Sequence, residues 1–494
     1  MNEEMFGPIS DQATPPVYRY FNGKDWLTSS SGKTSEIISP VDGSVVGSLQ
    51  AVTREEIDAV MDKAAHAQVA WEKMPLNHRV KIMHLAADWI RQNQDYLISL
   101  MVREIGKSHG ESKSEIARTA DLVDYYANEA QSIKGETLDS DNFPGFDKGR
   151  IALIERAAYG VVVAIAPFNY PVNLSASKIA PALLMGNSVV FKPPTQGGIS
   201  GLHLVRIFEK AGVPEGVLGC VTGTGEEIGD YLVSHPRAAM VAFTGSSDTG
   251  YAIAGKASMK TLLFECGGNN PALILPDADY NLTASELVKG AFSYSGQRCT
   301  AIKYVLTTPA VRDEILPVLL RTMDSLVKMG DPRSPDTKLV GPVVSEKAAE
   351  YIESVINEAV AGGAKIVRGG KRDKAFIEAT VLTDVKPDMK IVSEEIFGPV
   401  LSFITVASNE EMANIVNGSR FGLQACIFTR DEGSGIILAA LLNVGTVQIN
   451  GSPQRGPDHF PFLGVKRSGI GVQGVRYSLE AVSRLKPVVL NKPQ

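Results

Sequence analysis

The chain has 494 residues, 44% of them hydrophobic and 21% charged, and a formal net charge of −6. That length exceeds the roughly 250–300 residues one core can serve, so at least two cores are expected. The composition is that of an ordinary soluble globular protein, and the acidic balance leaves no basic footprint for nucleic acid.

The N-terminal stretch MNEEMFGPISDQ is acidic and lacks an apolar segment, so no secretory signal is expected. No run approaches the length of apolar residues that would span a membrane. As far as about residue 35 the chain is rich in turn residues, and NGKDW and SSSGK read as loops. Thr53-Arg-Glu-Glu56 then fits a capping box, in which hydroxyl and carboxylate satisfy orphan amides of a first helical turn. Ile82, Leu85, Ala86 and Trp89 recur at helical spacing, and helical pattern continues with breaks to about Ile133.

From Ile151 the pattern changes. The apolar runs VVVAIAP, SVVFKPP, VLGCVTG, MVAFTGS and TLLFECGG alternate with helix-length segments. Strands buried on both faces give such continuous runs, and their alternation with helices predicts βαβ units in a doubly wound, dinucleotide-binding type of sheet. A second α/β region runs from about Gly267 to Asn450. Within it Ser345 to Ala361 is a helix stopped by Gly362-Gly363. VGTVQIN and LKPVVLN read as further strands.

The cysteines are Cys220, Cys266, Cys299 and Cys426, far apart and without a ligand-like cluster. They suggest neither a disulfide framework nor a metal site, and a reducing, cytoplasmic setting is expected. Cys220 and Cys426 lie in apolar runs and Cys266 at a strand-to-loop junction; all three read as packing residues. Cys299 differs. It sits in the polar segment Ser295-Gly-Gln-Arg-Cys299-Thr, after the apolar stretch Leu287 to Phe292. A free cysteine is commonly an inert core residue. Here Arg298 is a neighbouring cation that favours the reactive thiolate.

Glu265 ends a buried strand and is followed by Cys266, Gly267 and Gly268. Doubly wound sheets place their ligands at strand carboxyl ends, where a carboxylate can be a general base or simply a capping or ion-paired group. Asn169, in Pro167-Phe-Asn-Tyr-Pro171, is a turn asparagine or an amide donor to a developing oxyanion. Lys192 ends the next strand, either exposed or binding. Thr244-Gly245-Ser246 follows a strand and opens a helix whose N-terminus suits a pyrophosphate. Gly223-Thr-Gly225 is a second glycine turn. Neither is the GxGxxG fingerprint.

Together these segments resemble the aldehyde dehydrogenase superfamily, from about residue 20 to the end. FNYP, FKPP, FTGS, ECGG, GQRC, EEIFGPV and DHFPFLG occur in its order. The resemblance implies that Cys299 attacks the aldehyde while Asn169 and the Cys299 amide hold the oxyanion. Hydride then leaves for the nicotinamide, and Glu265 activates water against the thioester. Lys192 and Glu395 are then the ribose ligands, Ser246, with Gly225 and Gly245 in the glycine turns, lies at the pyrophosphate, and Phe397 lies near the nicotinamide. The fold implied is two doubly wound α/β domains plus a small β oligomerisation arm. Its parts are a cofactor domain at 1–148 and 160–266, a catalytic domain at 267–450, a pocket segment at 451–479, and an arm at 149–159 with 480–494. A homodimer or homotetramer follows from such an arm.

The chain is most similar to the branch that oxidises glyceraldehyde 3-phosphate without phosphorylating it. The long stretches from Pro167, from Ala291 and from Gln454 carry that likeness. In that branch the substrate phosphate is held by cations and a tyrosine, here matched by Arg118, Tyr170, Arg298 and Arg455. NAD-preferring relatives often carry a glutamate where this chain has Thr195, so NADP is the expected cofactor. Another small aldehyde, such as lactaldehyde or a semialdehyde, is the alternative substrate. Cys266 and Asn269 depart from the family pattern beside Glu265.

Overall fold

A computed structural model describes residues 3–11, 13–145 and 149–491. The expected cofactor-domain and arm boundaries at 146–148 and 492–494 lie outside them.

The five apolar runs form the parallel centre of an eight-stranded sheet. Its order is Gly469–Ile470, Thr261–Glu265, Ala238–Thr244, Val161–Ile165, Ser188–Lys192, Leu218–Cys220, Tyr20–Phe21, Trp26–Leu27. Val161–Ile165 and Ser188–Lys192 are buried at every position, which explains their lack of alternation. Their two faces feed two cores. Val162, Ala164, Val189 and Phe191 join one cluster with helix Asn173–Leu184, through Ala176 and Ile179. Val161, Val163, Ile165 and Val190 join another with helix Arg54–Lys73, through Ile57, Val60 and Met61. That second helix starts with the expected capping box: Thr53 accepts from the Glu56 amide and Glu56 from the Thr53 amide.

A second, seven-stranded sheet is parallel except at one edge. Its order is Lys365–Arg368, Thr380–Thr383, Val400–Thr405, Ile302–Thr307, Asn270–Ile274, Gln424–Phe428, Thr446–Ile449. It too has a core on each face, Leu273 and Leu306 on one, Ala272 and Val305 on the other. Helix Glu346–Ala361 is capped by Ser345, and Gly363 beyond it takes φ 106°, open to glycine at little cost.

Three features differ from the sequence reading. The turn-rich N-terminus contains short strands, because Asn22 accepts from the amides of Lys24 and Asp25 and folds Tyr20–Phe21 onto Trp26–Leu27. The small sheet has a third strand: Arg150–Ala158 pairs with Ser483–Asn491 on one side and with Glu136–Asp139 on the other. Glu136–Asp139 is exposed throughout and has no apolar pattern to announce it. The segment 451–479 also completes the first sheet, since Ile470 pairs with Phe264.

Candidate active site

Parallel strands that share a direction bring their carboxyl ends to one edge. Asn169, Lys192, Thr244 and Glu265 all lie at or just beyond such ends. The second α/β unit delivers Cys299 to the same edge. Helix Tyr280–Phe292 ends in a turn where Tyr294, Ser295 and Gly296 all have positive φ, 50°, 53° and 68°. At Gly296 a Cβ would collide with the Gly398 carbonyl, so the turn needs glycine there. Of the four cysteines three are buried, and Cys299 is partly exposed.

The turn is tied to both sheets, by Asn169 beyond a strand of the first and by Asn270 in a strand of the second. Asn169 Nδ2 donates to the Gln297 carbonyl at 2.9 Å. Asn270 Nδ2 donates to the carbonyls of Cys299 and Ala301, each at 2.8 Å. An amide has two N–H donors, and the bond from Asn169 uses one of them. Asn169 is itself fixed from behind. Lys107 Nζ donates to its carbonyl at 2.9 Å, contacts Glu115 at 2.5 Å, and stands 3.4 Å over the Tyr170 ring. Glu115 also accepts from the Val172 and Asn173 amides at 3.0 Å, holding the start of the helix that follows.

Glu265 is buried and heavily engaged. Its Oε2 accepts from Arg455 Nη1 at 2.6 Å and from Thr244 Oγ1 at 3.0 Å, with Lys178 Nζ 4.0 Å away. Oε1 has no partner. Thr244 in turn accepts from Lys178 at 2.5 Å. Burial pushes the Lys178 ammonium down to about 8 against the pull of Glu265. Burial, with Glu265 and Glu395 adding to it, pushes the Cys299 thiol up to about 12, and Arg455 and Arg298 oppose this. The expected activation of the thiolate by Arg298 is therefore outweighed. Arg298 turns toward the helix end, donating to the Gly290 carbonyl at 2.9 Å. Cys266 packs with Phe243, Ile253 and Phe264 as a core residue, where burial also pushes its thiol up to about 12. Asn269 is buried and donates to the Val392 carbonyl.

The four residues matched to a phosphate lie in two groups. Tyr170 and Arg298 flank Asn169 and Cys299 in the chain. Arg118 and Arg455 are in contact, the Arg118 guanidinium donating to the Arg455 carbonyl. Arg118 is also paired with both oxygens of Asp458, at 2.7 and 2.6 Å. Each of the three arginines also has a protein partner, Arg118 with Asp458, Arg455 with Glu265 and Arg298 with the Gly290 carbonyl.

The residues matched to a cofactor lie around the neighbouring strand ends. Lys192 is buried rather than exposed, and burial lowers its ammonium to about 8. Pro193, Pro194, Thr195, Thr222 and Gly223 share a small pocket, into which exposed Thr195 and the partnerless Oγ1 of buried Thr222 bring hydroxyls. Ser246 caps helix Ser247–Lys256 and Gly225 opens the turn Gly225–Gly229. Glu395 accepts from the Gly268 amide at 3.1 Å, and a Cβ on Gly267 would collide with its carboxylate. Phe397 meets Phe168 edge-on at 5.7 Å. Hydroxyls, a buried cation and a helix N-terminus at one sheet edge are a donor set that fits a phosphorylated dinucleotide. Among the described residues no acidic, histidine or cysteine cluster could hold a metal ion.

Sequence reasoning missed Lys107, Glu115, Lys178, Asn270, Gln473 and Asp458. Lys178 carried a signal of a kind, the one charged residue of the helix Asn173–Leu184. The others gave none.

Two doubly wound sheets with a cysteine turn wedged at the carboxyl edge of one define the class, an α/β oxidoreductase built around a nucleotide-type sheet. The sequence pattern of the aldehyde dehydrogenase family matches residues 26–488, and the chain belongs to that family. It is 45% identical over 479 residues to an NADP-dependent glyceraldehyde-3-phosphate dehydrogenase of Arabidopsis thaliana, covering 97% of this chain and 96% of that one. An enzyme of the same description from Triticum aestivum is 44% identical over 489 residues, covering 99% and 98%. The crystal structure of NADP-dependent glyceraldehyde-3-phosphate dehydrogenase from Bacillus halodurans C-125 complexed with NADP superposes with a TM-score of 0.94 at 44% identity, covering 96% and 99%.

Proposed function

We propose that the chain oxidises glyceraldehyde 3-phosphate to 3-phosphoglycerate with NADP, through a thioester on Cys299 that water hydrolyses. The observation that carries this reading is the half-buried guanidinium of Arg455, which reaches the carboxylate of Glu265, while Arg118 donates to the Arg455 carbonyl. A neutral aldehyde needs no such cations beside the reacting groups; a phosphate dianion does. The similarity over 97% of the chain to a relative so described supports it.

In this mechanism Cys299 Sγ, having lost its proton to solvent, attacks the aldehyde carbon. The free N–H of Asn169 and the Cys299 amide receive the oxyanion. Bound NADP supplies the hydride acceptor. Glu265 takes a proton from water, whose oxygen attacks the thioester, and the C–S bond breaks to return the thiol. Lys192 and Glu395 would hold ribose hydroxyls, Gly225, Gly245 and Ser246 would border the pyrophosphate, Phe397 would pack near the nicotinamide, and Thr195 with Lys192 would admit the 2′-phosphate. Arg118, Tyr170, Arg298 and Arg455 bind the substrate phosphate.

We infer also that the three-stranded sheet is an oligomerisation arm giving a homodimer or homotetramer. Its Leu485, Val488, Val489 and Leu490 are exposed, as an unpartnered interface requires. The enzyme works in the cytoplasm, in keeping with four cysteines that remain free. Among the described residues no helix is long and apolar enough to cross a membrane.

The test is a steady-state comparison of NAD and NADP, each with glyceraldehyde 3-phosphate and with unphosphorylated glyceraldehyde. The highest kcat/KM is expected for NADP with the phosphorylated aldehyde. Equal kcat/KM for the two aldehydes would overturn the substrate assignment.

A further inference from the structure

Three side chains run in series through the site. Gln473 Oε1 accepts from Arg455 Nη2 at 2.9 Å, and Arg455 Nη1 donates to Glu265 Oε2 at 2.6 Å. Arg455 is further held against the Phe462 ring, 5.2 Å from its centroid. Each end of the series is a buried polar atom without a partner, Gln473 Nε2 and Glu265 Oε1. Buried polar atoms in folded proteins nearly always find partners, so these two mark places for ligand atoms. Their chemistry is opposite. A carboxylate oxygen accepts, as it would from a water O–H; an amide nitrogen donates, as it would to an anion.

We propose that Arg455 couples the two ends. Without an anion it is the counterion of Glu265. When a substrate phosphate is received by Arg455 and Gln473 Nε2, the guanidinium leaves the carboxylate, and Glu265 becomes an effective base. This inference rests on the phosphorylated-aldehyde reading above.

The physical argument is competition for one guanidinium. In a poorly solvated site a cation goes to the larger opposite charge, and a phosphate dianion outcompetes a single carboxylate. A carboxylate whose charge is drawn toward a guanidinium and a hydroxyl is a weak proton acceptor. Once freed, Glu265 keeps Thr244 at 3.0 Å and Lys178 at 4.0 Å, so it stays in place. It then takes the water proton, the water oxygen bonds to the thioester carbon, and the C–S electron pair returns to sulfur. The proton reaches Cys299 as the acid leaves. An aldehyde without phosphate acylates Cys299 but leaves the Arg455–Glu265 pair intact, so its thioester persists.

The experiment presents the substrate in two pieces. Enzyme and NADP are mixed rapidly with unphosphorylated glyceraldehyde, with and without inorganic phosphite. NADPH is followed by absorbance and the acyl-enzyme by quench and mass spectrometry. Phosphite should raise the rate constant for thioester hydrolysis about tenfold, equivalent to ~1.4 kcal/mol off the barrier, with a smaller effect on the NADPH burst. In Arg455→Met hydrolysis should be fast without phosphite and insensitive to it. Gln473→Glu, which sets a carboxylate against the anion, should abolish the phosphite effect in a chain that keeps Arg455. An unchanged hydrolysis constant in the parent, or a phosphite response that persists in Arg455→Met, overturns the coupling. Glyceraldehyde 3-phosphate is run on the same preparation. If it is not preferred over glyceraldehyde, the substrate reading falls; if it is preferred but phosphite does not speed hydrolysis, the coupling alone falls.

Discussion

The buried pair of Lys107 and Glu115 offers a sharp test of how the site is held. Both side chains are buried, 2.5 Å apart. Each has further duties: Lys107 binds the Asn169 carbonyl, and Glu115 binds the Val172 and Asn173 amides. Glu115→Gln strands a buried ammonium, and Lys107→Met strands a buried carboxylate. Breaking such a pair from one side costs about 3–5 kcal/mol. The double variant buries no uncompensated charge, so its cost should fall short of the sum of the singles by roughly 1–3 kcal/mol. Urea unfolding of parent, singles and double measures this. The same four proteins should show a second, separate effect. Every variant lacking Lys107 frees the Asn169 carbonyl and the Tyr170 ring, so kcat should fall by about tenfold or more even where stability is recovered in the double. Single-variant costs that add to within about 0.5 kcal/mol, or a Lys107→Met enzyme with parental kcat, would refute the reasoning.

Further outcomes follow from the site residues. Because the Cys299 thiol is pushed up to about 12, its thiolate fraction rises tenfold per pH unit below that value. Alkylation of the cofactor-free enzyme by iodoacetamide should therefore climb about one log unit per pH unit from about pH 6 to about pH 9, and a plateau near pH 8 would contradict it. Glu265→Gln should give one burst of NADPH and then stall with an acyl adduct on Cys299, detectable by mass spectrometry; undiminished turnover would exclude Glu265 as the base. Thr195→Glu should weaken NADP far more than NAD through like-charge repulsion, by several kcal/mol at most; an unaltered NADP/NAD preference in kcat/KM would mean that no 2′-phosphate lies there.

Local signals in the sequence were strong where the physics is local. The capping box at Thr53 satisfies amides within its own turn, and the apolar runs from Val161 onward need only a sheet with helices on both faces. The motif residues fall at strand ends for the same reason: a strand buried on both faces can expose a functional group only where it stops. Long-range pairing left no such trace. Lys107 meets Asn169 across 62 positions, and Arg455 meets Glu265 across 190. Nothing in the residues around Arg455 distinguishes a guanidinium waiting for an anion from one already bound to the base. Glu136–Asp139 went unread because an edge strand exposed on both faces carries no hydrophobic pattern.

The pairing of the arginines has a consequence for how anion affinity arises in this site. Arg118 is paired with Asp458 and Arg455 with Glu265, while Arg298 donates to the Gly290 carbonyl near the end of the helix Tyr280–Phe292. A phosphate bound as proposed would therefore exchange partners with Arg118 and Arg455 rather than meet bare cations. The net gain is the difference between two sets of charge-assisted bonds, smaller than a count of guanidinium groups suggests. The exchange is also selective. Asp458 and Glu265 each carry one negative charge, so a singly charged ligand gains little by displacing them, whereas a dianion gains at both places. Preformed internal pairs thus keep the ligand-free site stable, since an unpaired buried charge is costly, and they raise the threshold a ligand must cross. Under the coupling proposed above, the energy that releases Glu265 would be drawn from the phosphate end of the substrate, remote from the carbonyl, which is how binding energy is turned toward the chemical step.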